Sequence, residues 1–195
     1  MLTELLKAAQ RLSADYPALS QFEAAFACPQ KATQKGIQLA TLPVVEPIKQ
    51  GFSSADNRTP PLVNALIQAT DSLHWQQTYS AADKMPEGFL DRYGWANLVS
   101  PDGPYVSDQF RLCFGYWGPN IAYPWHSHEP EEYYLVIAGG ALFEAYGRGP
   151  IQAKAGELVH HQPWQSHRMT MTDQPLLVLA FWAGNNLTKK SVLTR

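Results

Sequence analysis

The sequence predicts a mainly β protein, an antiparallel sandwich or barrel in its last half, preceded by an α-helical amino-terminal region. Three observations carry this. From Gln109 onward, short runs rich in aromatic and β-branched residues alternate with turn signals every 8–12 residues or so. In the first third, apolar residues recur at helical spacing. Between them lies a Pro- and Gly-rich transition around residues 84–104. The chain therefore divides into a helical region, residues 1–83, that packs on a β unit, residues 84–195. A length of 195 residues suits one core with a helical extension, and 45% hydrophobic against 16% charged residues argues against disorder.

Taken in order, Leu2, Leu5, Leu6, Ala9 and Leu12 make the stripe of a first helix, with Thr3 as N-cap and Asp15 with Pro17 closing it. Leu19, Phe22, Ala25 and Phe26 would share one side of a second, short helix before the break at Cys28 and Pro29. Residues 31–60, with Pro43, Pro47, Gly51 and Pro60, read mainly as loop. Pro61 suits the first position of a longer helix that runs through Leu62, Leu66, Ala69 and Leu73 to about Tyr79. The strand-like runs are QFRLCFGYWG, EEYYLVIAG, ALFEAYGRG, ELVH, SHRMTMT and PLLVLAFWAG. Gly139 and Gly140 separate two of them as a hairpin turn would, and Asp173, Gln174 and Pro175 separate another pair.

Fifteen Lys and Arg against seventeen Asp and Glu give a formal net charge of −2, and the basic residues are scattered, so no nucleic-acid footprint is visible. No apolar run approaches the roughly 20 residues of a membrane span. Glu4, Lys7 and Arg11 interrupt the amino-terminal apolar residues, unlike a secretory leader, and the reading is cytoplasmic. Cys28 and Cys113 form neither a CxxC nor a zinc-ribbon spacing, which reads as two buried thiols in a reducing compartment.

The chemistry concentrates in the segment GPNIAYPWHSHEPEEYY. His126 and His128 are two apart, so on an extended chain both imidazoles face one side, within reach of a single ion. Glu132 and Tyr134 share that parity, with Tyr134 facing inward beside Glu132. A fourth ligand should come from a strand folded back over the first, and His167, just before the alternating RMTMT run, is the candidate. Three imidazoles and a carboxylate suit one divalent transition metal ion, Zn, Fe(II), Mn, Co or Ni, and suit Ca or Mg poorly. Glu129 and Glu131 are out of phase and read as solvated charges. His160 and His161 read as structural or exposed, with one of them an option as a hydrogen-bonding support for a ligand.

GPNIAYPWHSHEPEEYYLVIAG resembles the first cupin motif: HxH, a Glu four residues after the second His, and a Gly seven later. KAGELVHHQPWQSH resembles the second through Gly156, Pro163 and His167. The resemblance covers roughly residues 105–185 and implies a single small jelly-roll β-barrel with the metal inside. Tyr134, two residues after the ligand Glu, and the helical region before a single cupin are similar to the cupin-type dimethylsulfoniopropionate lyases. That resemblance implies His126, His128, Glu132 and His167 as metal ligands and Tyr134 as catalytic base. It also implies aromatic pocket positions at Tyr123 and Trp182.

The implied reaction is a β-elimination that yields dimethyl sulfide and acrylate. A bound cation would stabilise charge developing at the substrate carboxylate and would draw the Tyr134 phenol toward its ionised form. Tyr123, Trp125 and Trp182 are candidate walls for the cationic sulfonium group. The same ligand set also serves cupin dioxygenases and isomerases, and a cupin that only binds a small ligand is a third reading. A homodimer is possible by analogy with other cupins.

Overall fold

The computed structural model describes residues 1–29, 39–53 and 56–194. Its helical part comprises α1 (Leu2–Ser13), a 3-10 helix (Pro17–Ala27), α2 (Val45–Lys49), α3 (Pro60–Ala69) and a 3-10 turn (Thr70–Ser72). Helix α1 buries the stripe that its spacing marks, but it starts from Met1 and not from a Thr3 cap. The Ser13 hydroxyl closes it by donating to the Ala9 carbonyl at 2.7 Å. In the second helix Leu19, Phe22 and Ala25 lie three apart, the period of a 3-10 helix, and they are the residues it buries. Phe26 is only half-buried. Both cysteines are free, Cys113 buried and Cys28 half-buried, so the expectation of two buried thiols holds for Cys113 alone.

The helix expected from Pro61 to about Tyr79 is shorter, because Leu73 turns into extended backbone. Trp75 and Gln76 then form strand β1 (Trp75–Gln76), in register with Ala96 and Trp95. The Trp75 indole N–H donates back to the Thr70 carbonyl at 3.1 Å. Sheet pairing here overrides helix propensity. Residues 31–60 are not all loop, since α2 lies within them; residues 31–38, 54 and 55 of that stretch lie outside the described residues.

The other strands are β2 (Tyr93–Ser100), β3 (Tyr105–Val106), β4 (Phe110–Trp117), β5 (Ile121–Ser127), β6 (Glu131–Ala145), β7 (Arg148–Lys154), β8 (Leu158–His161), β9 (His167–Met171), β10 (Leu176–Ala183) and β11 (Val192–Leu193). They form a curled sheet in the order β1-β2-β4-β10-β6-β9-β5-β11, antiparallel along that path, with β3 joined to β2 and β7 and β8 joined to β6. Strand β2 occupies the stretch read as a Pro/Gly transition. Gln109 is therefore not where the sheet begins.

Strand β6 makes the curl. Its first part pairs with β10 and β8, and its last part with β7 and β9. Gly139 and Gly140 are not a hairpin turn, as the sequence implied, but the bend inside this one strand. Gly139 has φ +64°, and a Cβ there would stand 1.7 Å from the Pro175 carbonyl oxygen. The hairpin comes later, at Tyr146 and Gly147, between the paired Ala145 and Arg148.

The central strands are buried on both faces. On the outer face Leu112, Phe114, Leu135, Ile137, Leu177, Leu179 and Phe181 pack against α1, α3 and the 3-10 helix. On the inner face the alternate residues Cys113, Trp117, Tyr134, Val136, Val178 and Ala180 form a second cluster with Tyr123, Phe143 and Met169. Among the described residues no helix is long and apolar enough to cross a membrane.

Candidate metal centre

Three strands bring the site together on the inner face. Strand β5 carries Tyr123 and His126, which are three residues apart and yet share a side, because the register with β9 shifts between them. Their rings stack at 3.8 Å. His167, the first residue of β9, pairs directly with His126. Glu132 and Tyr134 enter from β6, and His128 lies in the short turn between β5 and β6.

His126, His128 and His167 offer ligand nitrogens that all lie within 4.8 Å of one another, and all three residues are buried. Each imidazole donates its Nδ1–H to a backbone carbonyl two residues away: His126 to Pro124 at 2.8 Å, His128 to Pro130 at 3.0 Å, and His167 to Gln165 at 2.8 Å. A carbonyl can only accept, so Nδ1 carries the proton and Nε2 presents a lone pair. Glu132 Oε2 stands 3.1 Å from His128 Nε2 and 3.3 Å from His167 Nε2, the latter without hydrogen-bonding alignment. Neutral imidazoles in this tautomer face a carboxylate as acceptor against acceptor. Such an arrangement asks for a cation, and the donor chemistry fits a divalent transition metal.

Without a bound ion, the carboxylate takes its positive neighbour from a proton on the facing imidazoles. Burial alone would raise the Glu132 carboxyl, but the adjoining His128 and His167 outweigh it and hold it well below the usual carboxylate range. Burial, reinforced by His167, holds His126 well below the ordinary imidazole range, so its lone pair is available. The other carboxylate oxygen, Oε1, accepts from the Trp182 indole N–H at 2.5 Å, which fixes the carboxylate rotamer. Tyr134 is buried. Burial first, and then Glu132 beside it, push its phenol well above the usual range.

A cavity of about 230 Å³ opens over this cluster, lined among others by Tyr123, His126, Glu132, Tyr134 and Trp182. Trp125 is not part of it: one residue out of phase with His126, it is half-buried with the Arg168 guanidinium over its ring at 5.0 Å. This corrects the expectation of Trp125 as a pocket wall. Trp182 lines the cavity, but its ring is already engaged, stacked on His128 at 4.2 Å with the Arg111 guanidinium over it at 4.8 Å. The Tyr123 hydroxyl is hydrogen-bonded to that of Tyr79 at 3.0 Å.

Likenesses to known proteins run along nearly the whole chain. Residues 18–178 match the family model of dimethylsulfoniopropionate lyase. The chain belongs to the dimethylsulfoniopropionate lyase family. The Ruegeria pomeroyi dimethylsulfoniopropionate lyase DddQ is 28% identical over 190 residues, covering 97% of this chain and 92% of that protein. Its crystal structure superposes with a TM-score of 0.88 at 27% identity, over 99% of this chain and 95% of the other. A chain from the crystal structures of the dimethylsulfoniopropionate lyases RdDddP and RnDddQII gives the same TM-score at 31% identity, over 100% and 97% of the two chains.

Within this lyase-family chain, several cavity residues escape a reading of the sequence. Arg111 pairs across β4 and β10 with Trp182, which in turn pairs with Glu132 on β6. It is buried, donates to Asn97 at 3.0 Å and to the Leu187 carbonyl at 3.1 Å, and lies over Trp95 at 4.1 Å. A lone Arg inside the apolar run FRLCFGYW is the signal that could have marked it. Residues 76–78, at the end of β1 and just after it, also line the cavity. His160 is bonded to Glu131 at 2.8 Å at the surface, away from the cluster, whereas His161 is buried against His167.

Proposed function

We propose that this carbon–sulfur lyase cleaves dimethylsulfoniopropionate to dimethyl sulfide and acrylate, with His126, His128, Glu132 and His167 holding one divalent transition metal ion and Tyr134 as base. The observation that carries the assignment is the set of proton-free acceptors converging beneath a cavity whose floor includes Tyr134. We also read the curled sheet as a cupin jelly roll, because β6 pairs with strands on both sides of its bend.

A divalent ion bound here supplies positive charge that favours phenolate and stabilises charge developing at the substrate carboxylate. Tyr134 Oη takes the proton from the carbon next to the carboxylate. The electrons of that C–H bond become the C=C bond of acrylate, and those of the C–S bond leave with dimethyl sulfide. Without a neighbouring cation the Tyr134 phenol is neutral, since burial and Glu132 both raise it, so base strength is coupled to occupancy of the ligand set. Trp182 holds Glu132 in one rotamer, and Tyr93 and Trp117, which line the cavity, offer aromatic surface to the sulfonium. Arg111 adds a positive charge on the Trp182 wall, and the sulfonium is steered away from that wall.

The family match and the near-complete overlay on two lyase structures favour this reading over a dioxygenase, an isomerase or a storage protein. The direct test is headspace dimethyl sulfide from metal-loaded protein given dimethylsulfoniopropionate. Release that chelation abolishes and metal restores is the expected result. Metal-loaded, folded protein that releases none overturns the proposal.

A further inference from the structure

His161 is the buried group that the ligand assignment leaves unused. It belongs to β8 and pairs across the sheet with Glu132. None of its surface is exposed, and neither ring nitrogen has a hydrogen-bond partner. A neutral imidazole carries an N–H and a lone pair, and leaving either unsatisfied in a protein interior costs about 1–3 kcal/mol. Such groups are rare in native folds and mark a missing partner.

The position of the ring says what that partner is. His161 stacks on His167 at 3.9 Å with 13° between the planes, so the two imidazoles lie face to face. Ligand atoms of Glu132, His161 and His167 all lie within 4.8 Å of one another, the same closeness found for His126, His128 and His167. The two triads share His167. Tyr134 meets His161 ring to ring at 5.9 Å, edge to face, and forms no hydrogen bond with it.

We propose that His161 is a fifth donor to the ion, completing with Glu132 and His167 the inner half of the coordination shell. This rests on the metal reading above and deepens it. Five protein donors leave room for one substrate oxygen in a six-coordinate shell. Such a shell suits Fe(II), Mn, Co or Ni better than Zn, whose usual shell is four-coordinate. The second cupin-like segment thus gives two ligands from HHQPWQSH rather than one.

The test uses the whole chain loaded with Co(II) alone, without substrate. Each ligating imidazole with an intact ring N–H gives a strongly shifted, exchangeable proton resonance in the paramagnetic protein. Four such resonances are expected from His126, His128, His161 and His167. His161→Leu should remove one and weaken Co(II) binding, measured by chelator competition, by about 10–100-fold. His161→Asn is the second variant, used if Leu disturbs folding. Three resonances in the unaltered protein, with the same three and unchanged affinity in either His161 variant, would overturn the proposal. His126→Ala separates the two readings: if it alone loses a resonance and affinity, only the fifth-donor assignment fails. If the unaltered chain binds no Co(II), both fail together.

Discussion

The two faces of the β4-β10-β6 sheet are built from the same strands by simple alternation, yet they serve different ends. On the outer face Phe181, Leu179 and Leu135 meet aliphatic and aromatic residues of the helical region. On the inner face the row Arg111, Trp182 and Glu132 crosses the three strands, one residue out of phase with Leu112 and Phe181. Period-two geometry lets packing and chemistry share a strand without sharing a face. The strands read from sequence as nearly continuous apolar runs, because the outer partner is a layer of helices rather than water.

Substitutions on the two faces should therefore fail differently. The largest effect is expected at Tyr134. Tyr134→Phe keeps the ring in its apolar surroundings and removes the proton acceptor, so kcat should fall by about 10²–10⁴-fold. Metal content by elemental analysis and the urea midpoint should stay near those of the unaltered protein. Full turnover in this variant would dismiss Tyr134 as base.

On the outer face, Phe22 of the 3-10 helix packs against Phe110, Tyr133 and Phe181, with ring centroids 5.2–6.0 Å away. Phe22→Ala should cost about 3–5 kcal/mol in urea unfolding while kcat of the folded fraction changes little. An equal loss of kcat in the folded protein would mean that the two faces are coupled.

Between these lies Trp182, which connects the wall to the ligand set. Trp182→Phe retains a ring for His128 to stack on and deletes the N–H that holds Glu132 Oε1. Metal affinity should fall by about 10–100-fold, as when other supports of ligand side chains are lost, with a smaller effect on unfolding. Chelator competition reads this directly, and an unchanged affinity would leave Trp182 only as packing.

How much of this was legible in the sequence differs between the faces for the same physical reason. The helical stripe of α1 is a local periodicity and appears in the structure as read, whereas His128 lies just past the end of β5 and reaches the cluster from the turn. The inward side of Glu132 and Tyr134 also followed from parity within one strand. Trp125 was misplaced because the shift between Tyr123 and His126 sits at that residue, and a bulge leaves no mark in apolar periodicity. Gly139 and Gly140 carried a turn signal that was real in kind, since Gly139 has positive φ, but a bend within β6 and a hairpin use the same residues. Arg111, His161 and residues 76–78 reach the cavity only through long-range register, which no local pattern encodes. The short β1 and the truncated α3 are tertiary outcomes of the same kind.

The smallest effect is expected at Tyr79, which joins the segment after β1 to the site by its hydroxyl contact with Tyr123. Burial raises its phenol to about 12. A group whose folded pKa lies above its unfolded value of about 10 stabilises the fold fully below pH 10. That contribution fades as the unfolded chain ionises, and it is gone once pH passes the folded value near 12. The alkaline loss attributable to Tyr79 is on the order of 2–3 kcal/mol between these limits. Tyr79→Phe removes a titrating group and one hydrogen bond, so it should cost only about 0.5–1.5 kcal/mol at neutral pH. The variant should then lose less stability than the unaltered protein between pH 10 and 12, and the two urea-midpoint curves should converge and then cross. Parallel curves across that window would show that the phenol ionises without reference to folding, and that the link between the segment after β1 and the site does not run through this hydroxyl.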